Sequence, residues 1–287
     1  MASDQAVLDQ IGNSWAIQHG SPVSSRQFYV SNYRAIWQIL RQEQVAIRAS
    51  GNTSRTITGN MNIVDITLSG KVSVPAKIMI GADGLSSGSG NGEDVWLMEN
   101  QSGRILIAMA GSAVRKVSAT TSGGNAYCIG ASESLLIAFG GHAASPFNPP
   151  TMAYGTNGTS GGDGGLAIAA TAGQGNVIYS IGGNGAKGTP GQIGRPAGTF
   201  LGWTFRPPGT PGTNGADGDG GDAISSGGDA SDFYAQAGKT VPPKNPFPTI
   251  AGAAGTPGHA LIIHGPIDPK IIGAINGDGT NGRVISR

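Results

Sequence analysis

The stretch Gly182-Gly183-Asn184-Gly185-Ala186-Lys187-Gly188-Thr189-Pro190-Gly191-Gln192-Ile193-Gly194 has a glycine at every third position. Further runs with the same spacing are Gly209 to Gly221, Gly155 to Gly164 and Gly252 to Gly258. A period of three fits neither an α-helix nor a β-strand, and it is the period of the polyproline II helix. Because glycine leaves one edge of such a helix bare, a second backbone can approach it closely. The sequence therefore predicts glycine helices that pair laterally.

Two architectures satisfy this pairing, a collagen triple helix and a bundle of glycine helices within one chain. No run exceeds five triplets, and aromatic and proline-rich stretches interrupt the runs. This interruption favours the bundle. We therefore predict a mostly β and irregular fold whose C-terminal half is a polyproline II (polyglycine II) helix sandwich.

Composition limits the functions that are open to the chain. The sequence has 287 residues, of which 50 are glycine, with 12% charged residues and a net charge of +1. It has no Lys/Arg cluster, so nucleic-acid binding lacks an electrostatic footprint. Cys128 is the only cysteine, which excludes an intrachain disulfide. The N-terminus has no signal-peptide pattern and no apolar run reaches membrane-spanning length, so we expect synthesis in a cytoplasm without standard secretion.

Residues 1–57 differ in composition from the rest of the chain and predict a small helical module. Its apolar and aromatic residues either form an ordinary core or dock onto a partner, and the sequence leaves both interpretations open. The candidate docking residues are Trp15, Tyr33, Ile36, Trp37 and Leu40.

Residues 58–142 carry the alternation of short β-strands, for example in Lys77–Ile80. Leu106-Ile107-Ala108 and Leu136-Ile137-Ala138 form a repeat of thirty residues, and Leu166-Ala167-Ile168-Ala169 continues it. We interpret the repeat as hairpins stacked in a partial solenoid or β-prism. Residues 260–263 and 270–277 predict a closing strand pair joined by a turn at Pro266-Ile267-Asp268-Pro269.

Residues 143–287 form the third predicted domain, in which irregular inserts at 145–154, 195–208 and 229–251 separate the glycine runs. Exposed aromatic residues with nearby arginines are typical of recognition sites. The alternative is that these aromatics fold back and cap the bundle. The candidate binding residues are Phe147, Met152, Tyr154, Arg195, Phe200, Trp203, Phe205, Arg206, Phe233, Tyr234 and Phe247.

The motifs that suggest ligand binding or catalysis lack the sequence context that each of them requires. Residues 183–188 match the dinucleotide-binding fingerprint, but the triplets that follow cannot form the helix it requires. Asp217, Asp219 and Asp222 nearly fit a calcium-binding repeat, but only one copy is present, and solvated side chains are the favoured interpretation. Glu93, Asp94 and Glu99 are a solvated rim rather than a glycosidase pair. We predict no enzyme, no cofactor and no metal.

The glycine runs and aromatic inserts of residues 143–287 resemble the glycine-rich distal tail-fibre adhesins of T-even-like bacteriophages. The resemblance implies a protein of the virion, attached by its N-terminal module to the tip of the tail fibre. It also implies variable loops that bind a bacterial outer-membrane protein or lipopolysaccharide. Two departures stand out: other residues fill two of every three positions in the runs, and the first 57 residues do not match the family's attachment sequence. The alternatives are a related phage tail-tip adhesin, a structural collagen-like or ice-binding protein, and a glycan-degrading tail spike.

Overall fold

The computed structural model describes residues 55–64, 71–147, 154–196, 198–200, 203–240 and 252–287, and these residues contain β-strands and no helix. The strands are β1 (Arg55–Val64), β2 (Lys71–Ile80), β3 (Val95–Met98), β4 (Ile105–Met109), β5 (Ala126–Ile129), β6 (Leu135–Phe139), β7 (Ala167–Ala170), β8 (Val177–Ile181), β9 (Gly198–Phe200), β10 (Trp203–Arg206), β11 (Ala223–Ser226), β12 (Asp232–Gln236), β13 (Ala260–His264), β14 (Lys270–Ile275) and β15 (Arg283–Ser286).

Thirteen of these strands form two sheets between which the chain alternates. Sheet A has the order β1-β2-β4-β6-β8-β12-β14, and sheet B has the order β15-β13-β11-β7-β5-β3. All neighbouring strands are parallel except β1 and β2, which pair antiparallel. From β2 onwards, each strand of sheet A is followed by one of sheet B, apart from the β9–β10 hairpin, which lies outside both sheets. The fold is thus a parallel β-solenoid with two strands per coil.

Small side chains build much of the core between the sheets. Ala126 and Cys128 of β5, and Ala167 and Ala169 of β7, are fully buried on the inner face of sheet B. Larger residues come mainly from sheet A, where Leu106, Leu136, Ile178 and Phe233 are fully buried in the same core cluster. The alternation of buried and less buried residues along β3, β5 and β7 follows from the period of two in a strand.

The two kinds of connection between the sheets differ greatly in length. Short turns such as 130–134 lead from sheet B to sheet A, whereas the connections from sheet A to sheet B contain the glycine runs. Adjacent connections are hydrogen-bonded backbone to backbone, for example Gly141 N–H to Gly124 O at 2.8 Å and Gly165 N–H to Gly141 O at 2.8 Å. We call this set of side-by-side connections the glycine layer.

Glycine is required in this layer because the neighbouring backbone occupies the place of a side chain. A Cβ atom on Gly141 would lie 1.8 Å from Gly111 O, and one on Gly183 would lie 1.9 Å from Gly141 O. No real Cβ atom tolerates such a distance, so only glycine allows this approach. The spacing of three residues is the spacing of hydrogen bonds between adjacent connections: Gly158, Gly161 and Gly164 donate to successive third residues of the 213–219 stretch.

The predicted fold class is therefore wrong. The described part of the chain is organised by two stacked sheets, not by a polyproline II sandwich, and the glycine runs are connections between these sheets. The predicted pairing of residues 260–263 with 270–277 is also wrong, because β13 lies in sheet B and β14 in sheet A. Leu166–Ala169 does not continue the repeat of Leu106–Ala108, since β7 lies in the sheet opposite β4.

The predicted helical module lies outside the described residues except for its last three, where β1 begins at Arg55. The division at residues 57, 142 and 143 stays a prediction. Both sheets continue across residues 142 and 143, because β6 pairs with β8 and β5 pairs with β7.

Candidate binding tip

The connections of the glycine layer turn back in loops, and the long connection over residues 182–222 extends far outward. Between residues 183 and 221 the chain runs out and back, and five backbone hydrogen bonds join the two limbs at every third residue. They are Gly221 N–H to Gly183 O, Gly218 N–H to Ala186 O, Gly215 N–H to Thr189 O, Gly212 N–H to Gln192 O and Gly209 N–H to Arg195 O. Beyond the last bond lies the β9–β10 hairpin. We call the outer loops of the layer the distal tip; its described parts are 84–90, 113–120, 145–147, 154–157, 192–196, 198–200 and 203–210.

The hairpin is the outermost described element of the distal tip. Trp203 is the register partner of Phe200, and Thr204 is the partner of Thr199. At the base of the hairpin, Gly155 N–H donates to Ile193 O at 3.0 Å, so Gly155 and the adjacent Tyr154 are held beside the residues that lead into the hairpin. Tyr154, Ile193 and Arg195 are all exposed there.

A second aromatic position lies on a shorter pair of connections. Phe147 and Val117 are joined by a parallel β-bridge, and Ser118 N–H donates to Phe147 O at 2.9 Å. The guanidinium carbon of Arg115 lies 5.0 Å from the centre of the Phe147 ring, a cation–π contact. Lys116 Nζ donates to the backbone oxygen of Gly88 on the next loop. The loops are thus tied together and still present an aromatic ring and an arginine.

Exposed apolar side chains concentrate at the distal tip. Ten large apolar side chains of the described residues are exposed, and five of them belong to the tip: Leu85, Val117, Phe147, Tyr154 and Ile193. Two pairs of them are neighbours, Val117 with Phe147 across a β-bridge and Tyr154 with Ile193 beside the Gly155–Ile193 hydrogen bond, and grouped exposed apolar residues indicate an interaction surface.

The structure places the sequence-predicted binding residues in three groups. Phe147, Tyr154 and Arg195 are exposed at the tip, and the backbones of Phe200, Trp203, Phe205 and Arg206 belong to the hairpin. Met152 and Phe247 lie outside the described residues, as do the candidate docking residues Trp15, Tyr33, Ile36, Trp37 and Leu40.

Phe233 and Tyr234 do not belong to a surface loop. They lie in β12 of sheet A, where Phe233 is fully buried between the sheets and Tyr234 is 6% exposed. Burial raises the pKa of Tyr234 to about 12. The insert that was predicted to start at residue 229 therefore contributes a core strand, and these two side chains cannot contact a partner in the folded protein.

Several exposed residues were missed by the sequence analysis. Arg115, Val117 and Ile193 belong to the distal tip, and their signal was weak because they stand among small residues. On the outer face of sheet B, the Trp96 and Tyr127 rings stack with centroids 3.7 Å apart and an interplanar angle of 13°. The alternation Val95-Trp96-Leu97-Met98 carried that signal, because it places Trp96 and Met98 on one face.

The described residues offer little reactive chemistry. Among them, no three His, Cys, Asp or Glu side chains are grouped so that they could hold a metal ion. Asp217, Asp219 and Asp222 each accept a backbone N–H instead, from Gly188, Thr256 and His259 respectively. Burial raises the pKa of the Cys128 thiol to about 12, so it is not a thiolate nucleophile at neutral pH. The described ranges also contain no helix long and apolar enough to span a membrane.

The fold and the tip thus define a two-sheet parallel β-solenoid that displays loops from a hydrogen-bonded glycine layer. Comparison with protein-family models, with curated proteins and with solved structures gave no match to this chain. The exposed residues of the described chain are therefore the basis for assigning a function.

Proposed function

We propose that the protein is an adhesin of a bacteriophage tail fibre that binds a bacterial surface receptor through the distal tip. In this proposal the receptor is an outer-membrane protein or lipopolysaccharide, and the protein is located at the distal end of the fibre in the virion. Residues 1–57 supply the attachment to the fibre. The observation that carries the proposal is the concentration of exposed apolar residues and arginines on the tip loops.

The construction of the tip supports a binding function. Tyrosine, tryptophan and arginine are the residue types that dominate binding energy at protein interfaces, and Tyr154 and Arg195 stand exposed at the hairpin base. The hydrogen bond from Gly209 N–H to Arg195 O, 2.8 Å long, closes the loop between these two residues. Because its ends are already fixed, the loop loses less conformational entropy on binding than a free loop would.

Adsorption of the labelled full-length protein to a panel of Gram-negative cells tests the proposal. We expect saturable binding to one group of hosts, and a loss of at least tenfold in affinity for the double variant Tyr154→Ala/Ile193→Ala. The matched control is Ile267→Ala, because Ile267 is equally apolar and 64% exposed but lies in the short turn between β13 and β14, outside the glycine layer. The control variant should bind as the wild type does.

Protease treatment of the cells separates the two receptor classes. Loss of binding after treatment would identify a protein receptor, and retention would identify lipopolysaccharide. Absence of saturable binding to every strain by a folded protein, or equal binding by the tip variant and the wild type, would refute the proposal.

A further inference from the structure

The outer face of sheet B is an apolar surface distinct from the distal tip. Its outward side chains alternate with the buried residues of the core, and strand register aligns them in two rows. We call these rows the flank strip. The first row is Trp96, Tyr127, Ile168, Ile224 and Leu261, continued by Arg283 of β15, and the second is Met98, Ile129, Ala170, Ser226 and Ile263, continued by Ile285. Trp96 is 58% exposed and Met98 is 60% exposed. Trp96 and Met98 lie two residues apart on one face of β3, and such a pair of neighbouring exposed apolar side chains indicates a binding surface.

The aromatic end of the flank strip has an open ring face. Trp96 stacks on Tyr127 of β5, the neighbouring strand, with one face of its indole. Among the described residues β3 is the edge strand of sheet B, and no further described strand of this sheet lies against the opposite face. An exposed indole face is apolar and flat, and it suits the C–H face of a sugar ring.

A polar groove runs along one side of the strip. Four residues each directly precede a strand of sheet B, two positions before its first-row residue: Asn125, Leu166, Asp222 and His259. Together with Asp219 and Thr256 they line a cavity of about 360 Å³. An apolar surface with a few fixed polar groups beside it is the usual composition of a small-ligand site.

Backbone hydrogen bonds fix the acceptors of the groove in advance. Asn125 Oδ1 accepts from Leu166 N–H at 2.9 Å, Asp219 Oδ1 accepts from Thr256 N–H at 2.6 Å, and Asp222 Oδ1 accepts from His259 N–H at 2.7 Å. Each of these bonds to a carboxylate uses one of its two oxygens. The second oxygen is left for a ligand hydroxyl, and the side chain loses little entropy on binding because it is already oriented.

The size of the strip argues against a stable protein interface as its use. Six strands about 4.8 Å apart span roughly 24 Å, and four residues at about 3.3 Å each add roughly 13 Å of width. The face therefore offers on the order of 300 Å², against the roughly 800 Å² per partner that a stable protein interface buries. A narrow, elongated ligand fits these dimensions better than a second folded chain does.

Charge decides between neutral and anionic ligands. Four exposed carboxylates, Asp94, Asp163, Asp219 and Asp222, lie on this side of the molecule, and they outnumber Arg283, the exposed cation in register with Leu261 at the end of the first row. Their carboxylates would repel a phosphorylated or carboxylated glycan, because like charges disfavour association. We propose that the flank strip and its groove bind a neutral linear glycan, with a sugar ring on Trp96 and hydroxyl groups donating to Asn125, Asp219 and Asp222. The proposal goes beyond the function proposed for the distal tip and does not depend on it.

Affinity electrophoresis of the full chain in gels that contain soluble polysaccharides tests this site. The probes are dextran, a linear β-glucan and a galactan, with carboxymethyl dextran as the anionic counterpart. We expect at least one neutral polysaccharide to retard the protein and carboxymethyl dextran to bind at least tenfold more weakly than dextran or not at all. Trp96→Ala should weaken binding to the polysaccharide that retards the wild type at least tenfold, and Asp222→Asn should weaken it several-fold.

Control variants separate this site from the tip and from misfolding. Val117→Ala removes an equally exposed apolar side chain at the tip and should leave glycan binding unchanged. Trp96→Phe keeps an aromatic face and should retain part of the affinity lost in Trp96→Ala. Failure of all neutral probes, equal binding of the anionic probe, or wild-type affinity in Trp96→Ala would overturn the proposal. Conversion of an oligomer into a monomer by Trp96→Ala, measured by light scattering, would also overturn it and assign the strip to self-association.

Discussion

Replacement of Gly141 by alanine tests the role of the glycine layer. The new Cβ would lie 1.8 Å from Gly111 O, and side-chain carbons essentially never approach closer than 3.0 Å, so the backbones must separate by at least 1.2 Å. Gly111 O accepts from Gly124 N–H at 3.0 Å, and Gly124 O accepts from Gly141 N–H at 2.8 Å. A separation of this size breaks both bonds in a buried region.

The cost follows from the two broken bonds. A buried amide without a partner costs about 1–3 kcal/mol, so two cost roughly 2–6 kcal/mol. Alanine also restricts the unfolded chain more than glycine does, which stabilises the folded state by about 0.4–1 kcal/mol. A net loss of about 3 kcal/mol lowers the melting temperature by roughly 6–12 °C for a domain of 150–250 residues.

Thermal unfolding followed by circular dichroism measures this shift. Gly88→Ala is the control, because Gly88 is exposed, has a negative φ and would bring its Cβ no closer than 3.6 Å to Leu85. We expect the control to melt within about 2 °C of the wild type, as surface substitutions usually change stability by less than 0.5 kcal/mol. Equal melting temperatures for Gly141→Ala and Gly88→Ala would refute the argument that close backbone approach demands glycine here.

Three further predictions concern the core and the loops. The pKa of Cys128 rises from 9.0 to about 12 on folding, so its stabilising contribution is complete below pH 9 and is lost between pH 9 and 12. In that window, the free energy of unfolding of Cys128→Ala should fall with pH less steeply than that of the wild type, by about 1.4 kcal/mol per pH unit. An unchanged slope would contradict the burial of the thiol. Asn176 is fully buried and accepts from Ser134 N–H at 2.9 Å, so Asn176→Ala should cost about 1–3 kcal/mol in urea unfolding, whereas wild-type stability would mean that Ser134 finds another partner. Replacement of residues 197–207 by a short Gly/Ser linker should leave the melting temperature within about 3 °C of the wild-type value, because the hydrogen bond between Arg195 and Gly209 already closes the loop before the replaced segment. A large loss of stability would show that the hairpin packs against the core.

The strands could be predicted from sequence more readily than their arrangement. Leu106-Ile107-Ala108 and Leu136-Ile137-Ala138 are register neighbours in β4 and β6, and local alternation was sufficient to find them. The sheet to which a strand belongs depends on the length and path of each connection, which local patterns do not encode. The Leu166–Ala169 segment resembles those repeats in composition, yet β7 lies in the opposite sheet.

The glycine spacing led to the wrong architecture for a related physical reason. A glycine at every third residue shows that a backbone passes close by, but it does not reveal which chain segment passes. In the structure, Gly183 approaches Gly141 from the preceding coil, a contact made possible by the pairing of β6 and β8. The core strands that create this stacking are short and rich in alanine, so their hydrophobic signal is weak beside the glycine pattern.

The candidate residues show the same limit of sequence reasoning. Phe233 and Phe147 both stand near glycine and proline in the sequence, yet one is fully buried and the other is 41% exposed. What separates them is the strand pairing of Phe233 with Ile178 of β8, a contact between residues far apart in the chain. Exposure of an aromatic residue in a glycine-rich protein is therefore decided by long-range pairing.

The glycine layer explains how this fold can display large loops without disturbing its core. The connection over residues 110–125 is short, whereas that over 182–222 extends far outward, yet the strands on either side keep unbroken register. Each added triplet on both limbs of a connection gains a backbone hydrogen bond, as the series from Gly221–Gly183 to Gly209–Arg195 demonstrates. A longer connection therefore offsets part of its ordering entropy with new bonds. Selection can then change the length and sequence of the tip loops while the two sheets remain the same, which is the property that a recognition scaffold needs.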